Sequence, residues 1–205
     1  MTTTASLFLA SILLGYLLGS ISFGALVARA HGINILEEGS GNPGATNVKR
    51  VLGKRSGNLV FFLDALKGFV AASWPLLALP HYPFATHIAL VGLIACLLGH
   101  SFSLFLQFRG GKGVATTVGG LLALMPIALL IGVSLWLLVF FSTRYVSLAS
   151  LVLGISLPIS AFFLKTSPEL FVFSVALAMF IVVRHRSNIQ RLLAGTEHQF
   201  TRSSK

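Results

Sequence analysis

The sequence is poor in acid. Five Asp and Glu residues stand against 15 Lys and Arg, and a single one of the five is an aspartate, Asp64. A two-carboxylate metal site of the DDxxD kind therefore cannot be written, nor can the repeated-aspartate motif of phosphatidyl-alcohol transferases. The HxxxxD pair would need a histidine five positions before Asp64, where Leu59 stands, and no glutamate has a histidine at that spacing. A Ser-His-Asp triad would have to use Asp64, which is remote in sequence from every plausible partner. Cysteine is scarcer still. Cys96 lies alone in the apolar run 89–98, which excludes a disulfide framework and a zinc finger. It has no basic neighbour in sequence to lower its pKa, so no covalent nucleophile stands out. Charged residues make up 10% of the chain and hydrophobic ones 55%, where a soluble domain carries about a quarter charged residues. Such a chain cannot coat a water-exposed surface. Disorder and a soluble enzyme are excluded, and the expectation is an all-α integral membrane protein forming one domain, 1–205.

What charge there is has one sign and an uneven distribution. The formal net charge is +10, which could speak for nucleic acid; in a membrane chain the positive-inside rule explains it first. No basic residue precedes Arg29. Then come Arg29, Lys49, Arg50, Lys54 and Arg55, followed by Arg109 and Lys112, by Arg144 alone, and by a tail with Arg184, Arg186, Arg191, Arg202 and Lys205. Only Lys67 and Lys165 fall outside these four clusters.

A bilayer-spanning helix needs about 20 apolar residues. The stretches 5–28, 57–79 and 84–106 qualify, 147–164 is slightly short, and 168–183 is shorter but can continue as helix through Arg191. The last is expected to start well, with Ser167 as cap, Pro168 in the first helical position and Glu169 complementing the dipole. Residues 5–28 are not read as a signal peptide, because the basic flank follows the apolar run rather than preceding it. They form a retained first helix with its N-terminus outside. The stretch 114–142 decides the count. As one helix it would be about 43 Å long, against a hydrocarbon core of about 30 Å. A break near Met125-Pro126 gives two short helices and places all four basic clusters on the cytoplasmic side; a single span would turn Arg144 and the tail outward. The expectation is seven transmembrane helices, N-terminus out and C-terminus cytoplasmic.

Three polar stretches then share the cytoplasmic face. The first contains Gly39, Ser40, Gly41, Asn42, Pro43, Gly44, Ala45, Thr46 and Asn47, followed by Lys49 and Arg50. Three glycines within six residues permit positive φ and close backbone approach. Their N–H groups can form an anion nest, with hydroxyl, amide and Arg50 donors added. An ordinary flexible turn is the plainer reading, though so polar a stretch is unusual in so apolar a chain. The second runs Arg109, Gly110, Gly111, Lys112, Gly113, Val114, Ala115, Thr116 into an apolar helix. Backbone donors at a helix N-terminus with a lysine suit a phosphate. It is not a Walker A loop, since Leu106 and Gly113 stand where that pattern needs Gly and Ser/Thr. Taken alone it fits a plain cytoplasmic turn equally well. The third is Arg184-His185-Arg186-Ser187-Asn188, running on to Arg191. His185 and Asn188 share a helix face, while Ile189, Leu192 and Leu193 occupy another stripe, so an interfacial helix on anionic lipid remains open beside a site. Asp64 and Lys67, three apart inside a span, read as an ion pair under the site floor in preference to direct catalysts. His100 either packs or hydrogen-bonds the second loop; the other histidines read as interfacial.

These motifs, in this order and spacing over nearly the whole chain, resemble the bacterial acyl-phosphate-dependent glycerol-3-phosphate acyltransferases. Gly39–Asn47 with Arg50 is similar to that family's first motif, Gly99-His100 through Gly113–Thr116 to the second, and Arg184-His185 with Asn188-Ile189 to the third. The segments 63–68 and 145–148 are similar too. Ser103 departs from the pattern, standing where the family commonly has proline. The resemblance implies seven helices with a cytoplasmic site, and direct transfer of an acyl group from acyl phosphate to the 1-hydroxyl of sn-glycerol 3-phosphate. Lysophosphatidic acid and phosphate leave, as the first step of phospholipid synthesis. No cofactor or metal is implied; an upstream acyl-phosphate-forming enzyme is. The expected roles follow. Ser40, Arg50 and Lys112 bind the glycerol 3-phosphate phosphate. Thr46, Asn47 and the Gly110, Gly111 and Gly113 backbone cradle the acyl phosphate. His185 and Asn188 orient the glycerol hydroxyls, with Gly39, Gly41, Asn42, Gly44, Arg144 and Ser147 as further substrate-binding candidates. An acyl phosphate is a mixed anhydride with a good leaving group, so the enzyme needs no nucleophile of its own. Its task is to hold two phosphates, about four negative charges in all, side by side. A transporter or channel for organic phosphates is the rival. It would use the same basic loops but should show internal repeats with broken midplane helices, and no convincing repeat is visible.

Overall fold

The computed structural model describes residues 3–200, so Arg202 and Lys205 of the basic tail lie outside the described residues. Among those residues the protein is all-α. Ten α-helices are joined by loops and one short 3-10 turn, with no strand beyond an isolated bridge between Ser103 and Arg109. The chain divides after Leu124 into two compact units.

The first unit contains α1 (Thr3–Ser20), α2 (Phe23–Ala30), α3 (Ala45–Leu52), α4 (Lys54–Ala78), α5 (Ala85–Ser101) and α6 (Val114–Leu124). Here α1 lies along α5, and α4 packs against both α5 and α6. The α4–α6 contact is close because it is made by glycine: a methyl group on Gly68 would overlap the Thr116 carbonyl oxygen, and one on Gly119 that of Ala65. Small residues at helix crossings are the usual means of association where lipid removes the hydrophobic drive. The distribution along α4 is inside-out relative to a soluble helix. Leu59, Phe61, Phe62, Leu66 and Val70 are exposed, whereas Asp64 and Lys67 are each 2% exposed. Lipid makes the first arrangement costless, and charges within a span turn to the protein interior.

Two sequence expectations are corrected in this unit. The run 5–28 is not one helix: it breaks at Ile21-Ser22, and Ser22 caps α2 by accepting from the Ala25 N–H at 3.4 Å. The break survives in an apolar setting because Lys67 Nζ donates to the freed carbonyls of Gly19 at 3.0 Å and Ile21 at 2.8 Å. The run 84–106 likewise stops at Ser101. There the chain turns so that Ser103 Oγ donates to the Ser20 carbonyl at 2.6 Å, and Leu104–Leu106 form only a 3-10 turn.

The second unit contains α7 (Pro126–Thr143), α8 (Val146–Phe163), α9 (Pro168–Arg184) and α10 (Arg186–Leu193). In it α8 packs between α7 and α9. Helix does not run continuously across 114–142. Met125 leaves helical geometry with φ −144° and ψ 58°, and Pro126 opens α7. Proline lacks the N–H that a first helical position does not need. α9 starts at Pro168 with Glu169 in its first turn, but Ser167, although placed as cap, makes no side-chain capping bond. Nor does α9 continue through Arg191: the chain bends by 59° between α9 and α10.

Among the described residues, four helical stretches are long and apolar enough to cross a membrane, namely Thr3–Ala30, α4, α7 and α8. The bent pair α9–α10 makes up to a fifth, and α5 and α6 are shorter apolar helices.

Candidate active site

The first motif is built by one buried amide. Gly39 and Gly41 take φ of 58° and 66°, left-handed values that side-chain-bearing residues rarely adopt. They fold the loop back so that Asn47, 2% exposed at the start of α3, reaches across it. Asn47 Oδ1 accepts from the Ser40 N–H at 2.9 Å and from Arg50 Nη1 at 3.2 Å, and its Nδ2 donates to the Glu38 carbonyl at 2.9 Å. Asn47 was expected to touch substrate. In the structure its amide holds the Ser40 backbone and the Arg50 guanidinium in place. Ser40 is exposed at the crown of this loop, while Thr46 and Arg50 are half-buried. Beneath them Ala28, Ile35, Val48 and Val60 form an apolar floor.

The second motif joins the first directly. Asn42 Oδ1 accepts from the Gly44 N–H at 2.9 Å, and its Nδ2 donates to the Gly110 carbonyl at 3.3 Å. The Ser103 N–H donates to the Arg109 carbonyl at 3.3 Å and the Gly111 N–H to the His100 carbonyl at 3.0 Å, which close the loop onto the end of α5. Gly113 (φ 82°) then turns the chain into α6. Gly39, Ser40, Gly41, Asn42, Gly44, Thr46, Asn47, Arg50, Gly110, Gly111, Lys112 and Gly113 therefore all belong to the first unit. The Asn42–Gly110 bond joins the loop that precedes Arg50 to the loop that carries Lys112.

The third motif lies in the second unit. His185, 3% exposed, sits at the α9–α10 bend with its Nδ1 2.8 Å from the Ile181 carbonyl. A carbonyl only accepts, so in the neutral ring Nδ1 carries the proton and the lone pair is on Nε2. Asn188, Ser147 and Arg191 converge on a residue the sequence reading passed over, Glu197. Ser147 Oγ and Asn188 Nδ2 donate to Glu197 Oε1 at 2.8 and 2.7 Å, and Arg191 Nε donates to Oε2 at 2.7 Å. Burial alone would raise the Glu197 carboxyl. The bonds from Asn188, Ser147 and Arg191, with the Arg191 charge, outweigh it and hold the carboxyl below the usual range. The signal available in sequence was a lone acid, just after Gly195, in an otherwise basic tail. Arg144 ends α7 in left-handed geometry (φ 63°); its guanidinium lies over the Phe141 ring and its carbonyl accepts from the Phe200 N–H at 3.1 Å.

Comparison with known proteins points to one family. The family model described as "Glycerol-3-phosphate acyltransferase" matches residues 9–195. A glycerol-3-phosphate acyltransferase of Aquifex aeolicus is 43% identical over 189 residues, covering 92% of this chain and 97% of the relative. One from Trichlorobacter lovleyi is 44% identical over 185 residues, covering 90% and 93%. Two crystal structures of PlsY (YgiH), an integral membrane glycerol 3-phosphate acyltransferase, superpose on this fold, each at 41% sequence identity. The glycerol 3-phosphate form gives a TM-score of 0.88 and covers 95% of this chain and 96% of its own. The lysophosphatidic acid form gives 0.85 and covers 95% of both.

Proposed function

The chain belongs to the glycerol-3-phosphate acyltransferase family, and we propose that it transfers an acyl group from acyl phosphate to the 1-hydroxyl of sn-glycerol 3-phosphate. The hydroxyl oxygen attacks the acyl carbonyl and a carbon–oxygen ester bond forms. The carbon–oxygen bond to the phosphate breaks, and phosphate leaves with the electron pair. The hydroxyl proton passes to a phosphate oxygen of the substrates, whose second pKa of about 6 suits the task. Lysophosphatidic acid and inorganic phosphate are the products.

The observation that carries this reading is the Asn42–Gly110 bond, because it turns two glycine-rich loops of one unit into a single structure bearing Arg50 and Lys112. Arg50 and Lys112, with Ser40, bind the phosphate of glycerol 3-phosphate. The Gly110–Gly113 backbone and Thr46 hold the acyl phosphate, and Gly39, Gly41 and Gly44 let the first loop approach it. His185 and Asn188 orient the glycerol hydroxyls, with Ser147 and Glu197 holding Asn188 in place and Arg144 adding positive charge. Donors fixed in advance toward the carbonyl oxygen stabilise the charge that develops there. The whole chain acts as one acyltransferase domain. Its α1–α2 pair and α4 to α9 supply seven spans, N-terminus outside and C-terminus inside. The basic loops face the cytoplasm of a bacterial inner membrane, where an acyl-phosphate-forming enzyme supplies the donor.

The test is a two-substrate assay in detergent micelles. Purified protein given acyl phosphate and glycerol 3-phosphate should release phosphate and lysophosphatidic acid in equal amounts, with no acyl group left on the protein. Turnover with an acyl thioester but not with acyl phosphate would overturn the donor. Uptake of glycerol 3-phosphate into proteoliposomes without turnover would favour the transporter.

A further inference from the structure

The connection between α5 and α6 carries an apolar surface that none of the roles above uses. Phe102, Leu104, Phe105 and Phe108 are exposed between the end of α5 and Gly110, with Phe105 and Phe108 at 62% each. Arg109 beside them is exposed as well. A contiguous apolar patch of this kind marks an interaction surface. The backbone favours the outward arrangement at some cost: Gln107 and Phe108 take φ of 53° and 61°, left-handed values that residues with side chains rarely adopt. The Phe108 ring is left open rather than packed against its own loop.

What covers this surface follows from its backbone and its neighbours. The Leu106 and Phe108 N–H groups both donate to the Ser103 carbonyl, at 3.2 and 2.8 Å. The Ser103 N–H donates to the Arg109 carbonyl at 3.3 Å, and the Arg109 N–H to that of Leu106 at 3.0 Å. The Phe102 carbonyl accepts from the Tyr16 hydroxyl at 2.9 Å. Backbone that satisfies its polar groups within the protein is what a lipid surrounding requires. The patch also prolongs the outer side of α5. Over 93–101 only Ile94 and Leu98 are exposed, at the four-residue spacing that puts Phe102 next on the same stripe.

We propose that residues 102–109 form an interfacial anchor, immersed where the headgroups of one bilayer leaflet meet its acyl chains. Phe102, Leu104, Phe105 and Phe108 enter the top of the acyl layer, and Arg109 reaches back to the phosphates of anionic headgroups. Aromatic and leucine side chains on the lipid side with a cation on the wet side are the pairing that interfacial segments use. Because Gly110 follows directly, the anchor also sets the depth of the second motif, at the level where a lipid-borne phosphate lies. A soluble protein docking here would need neither the unbroken stripe from Ile94 nor a backbone that dispenses with water.

The unmodified protein is placed in vesicles of phosphatidylethanolamine and phosphatidylglycerol with a trace of phospholipid bearing a diazirine near the top of its acyl chain. After irradiation and digestion, mass spectrometry should find lipid adducts on 102–108 as well as on Leu98. Adducts on Leu98 with none on 102–108 would overturn the anchor. A second measurement attaches a nitroxide to Phe105→Cys or Phe108→Cys in the same vesicles. Native Cys96 is buried, and Lys54→Cys, exposed at the start of α4, gives the water-side reference. Accessibility to a water-soluble nickel chelate should be lower at 105 and 108 than at 54 by about fivefold or more, with accessibility to oxygen higher. Equal accessibility to the chelate at the three positions, in variants that melt like wild type, would leave the patch in water and open to a soluble protein, and the anchor would be wrong. Should the labelled variants fail to fold, cross-linking of the unmodified protein decides alone. No substrate enters either measurement, so the acyl-transfer reading stands or falls separately.

Discussion

Asn42 and Gly110, 68 positions apart, are joined by a bond of 3.3 Å from the Asn42 amide to the Gly110 carbonyl. The same side chain accepts from the Gly44 N–H at 2.9 Å, so one residue shapes its own loop with its oxygen and tethers a second loop with its nitrogen. Asn42→Asp separates the two tasks. The carboxylate keeps the acceptor, loses the donor, and adds negative charge beside loops proposed to hold phosphates. The expected outcome is a fall in kcat/KM of about tenfold or more, equivalent to about 1.4 kcal/mol, with little change in melting temperature. A variant with near-normal kcat/KM would show that the tether does no work in catalysis.

Of the two cations of the second loop, Arg109 is exposed and Lys112 is half-buried, flanked by Gly111 and Gly113. A hydrogen bond to a charged group contributes about 1.5–3 kcal/mol, so Lys112→Ala should lower kcat/KM by roughly tenfold to a hundredfold. Lys112→Arg should recover only part of this, because a planar guanidinium cannot replace a compact ammonium between two glycines. Steady-state kinetics with both substrates checks the pair of variants, and a fully active alanine variant would remove Lys112 from the phosphate site.

Much of this was legible in the sequence, for identifiable reasons. The helical boundary at Met125-Pro126 follows from bilayer thickness and the missing proline N–H. The left-handed geometry of Gly39 and Gly41 follows from glycine density. The break after Ser20 was not legible, because its stabilising partner, Lys67, comes from another helix. The 59° bend at His185 was hidden by a helical pattern that continues through it. Glu197 was missed for the same physical reason: its partners Ser147 and Asn188 are 50 and 9 positions away, and local periodicity carries no information about such pairings. Asn47 was recognised as polar and loop-borne, but its burial, which commits both ends of the amide to the loop, is a tertiary property.

Glu197 gives a prediction about pH. Its carboxyl is held below the ordinary glutamate range in the folded protein. The stability it contributes is therefore present above the unfolded-state pKa, and is lost as pH falls through the folded one. Thermal unfolding in micelles should show a decline on acidification in this carboxylate range that is smaller in Glu197→Gln. At neutral pH that variant should be destabilised by about 1–3 kcal/mol, since Ser147, Asn188 and Arg191 lose a charged acceptor. Equal acid sensitivity in the two proteins would place the titrating group elsewhere.

His185 decides how the glycerol hydroxyl is handled. Its Nδ1 is bonded to the neutral Ile181 carbonyl. A neutral carbonyl stabilises an imidazolium far less than the carboxylate of a catalytic triad does. That favours an orienting role for Nε2, with a substrate phosphate oxygen taking the proton. His185→Ala should then raise the KM for glycerol 3-phosphate about tenfold or more while kcat falls by a smaller factor. Asn188→Ala, removing the neighbouring side chain held by Glu197, should act in the same direction. Equilibrium binding of glycerol 3-phosphate, measured beside turnover, separates the alternatives. If His185→Ala binds glycerol 3-phosphate normally yet loses a factor of about 10²–10⁴ in kcat, the histidine is the general base and the phosphate is not.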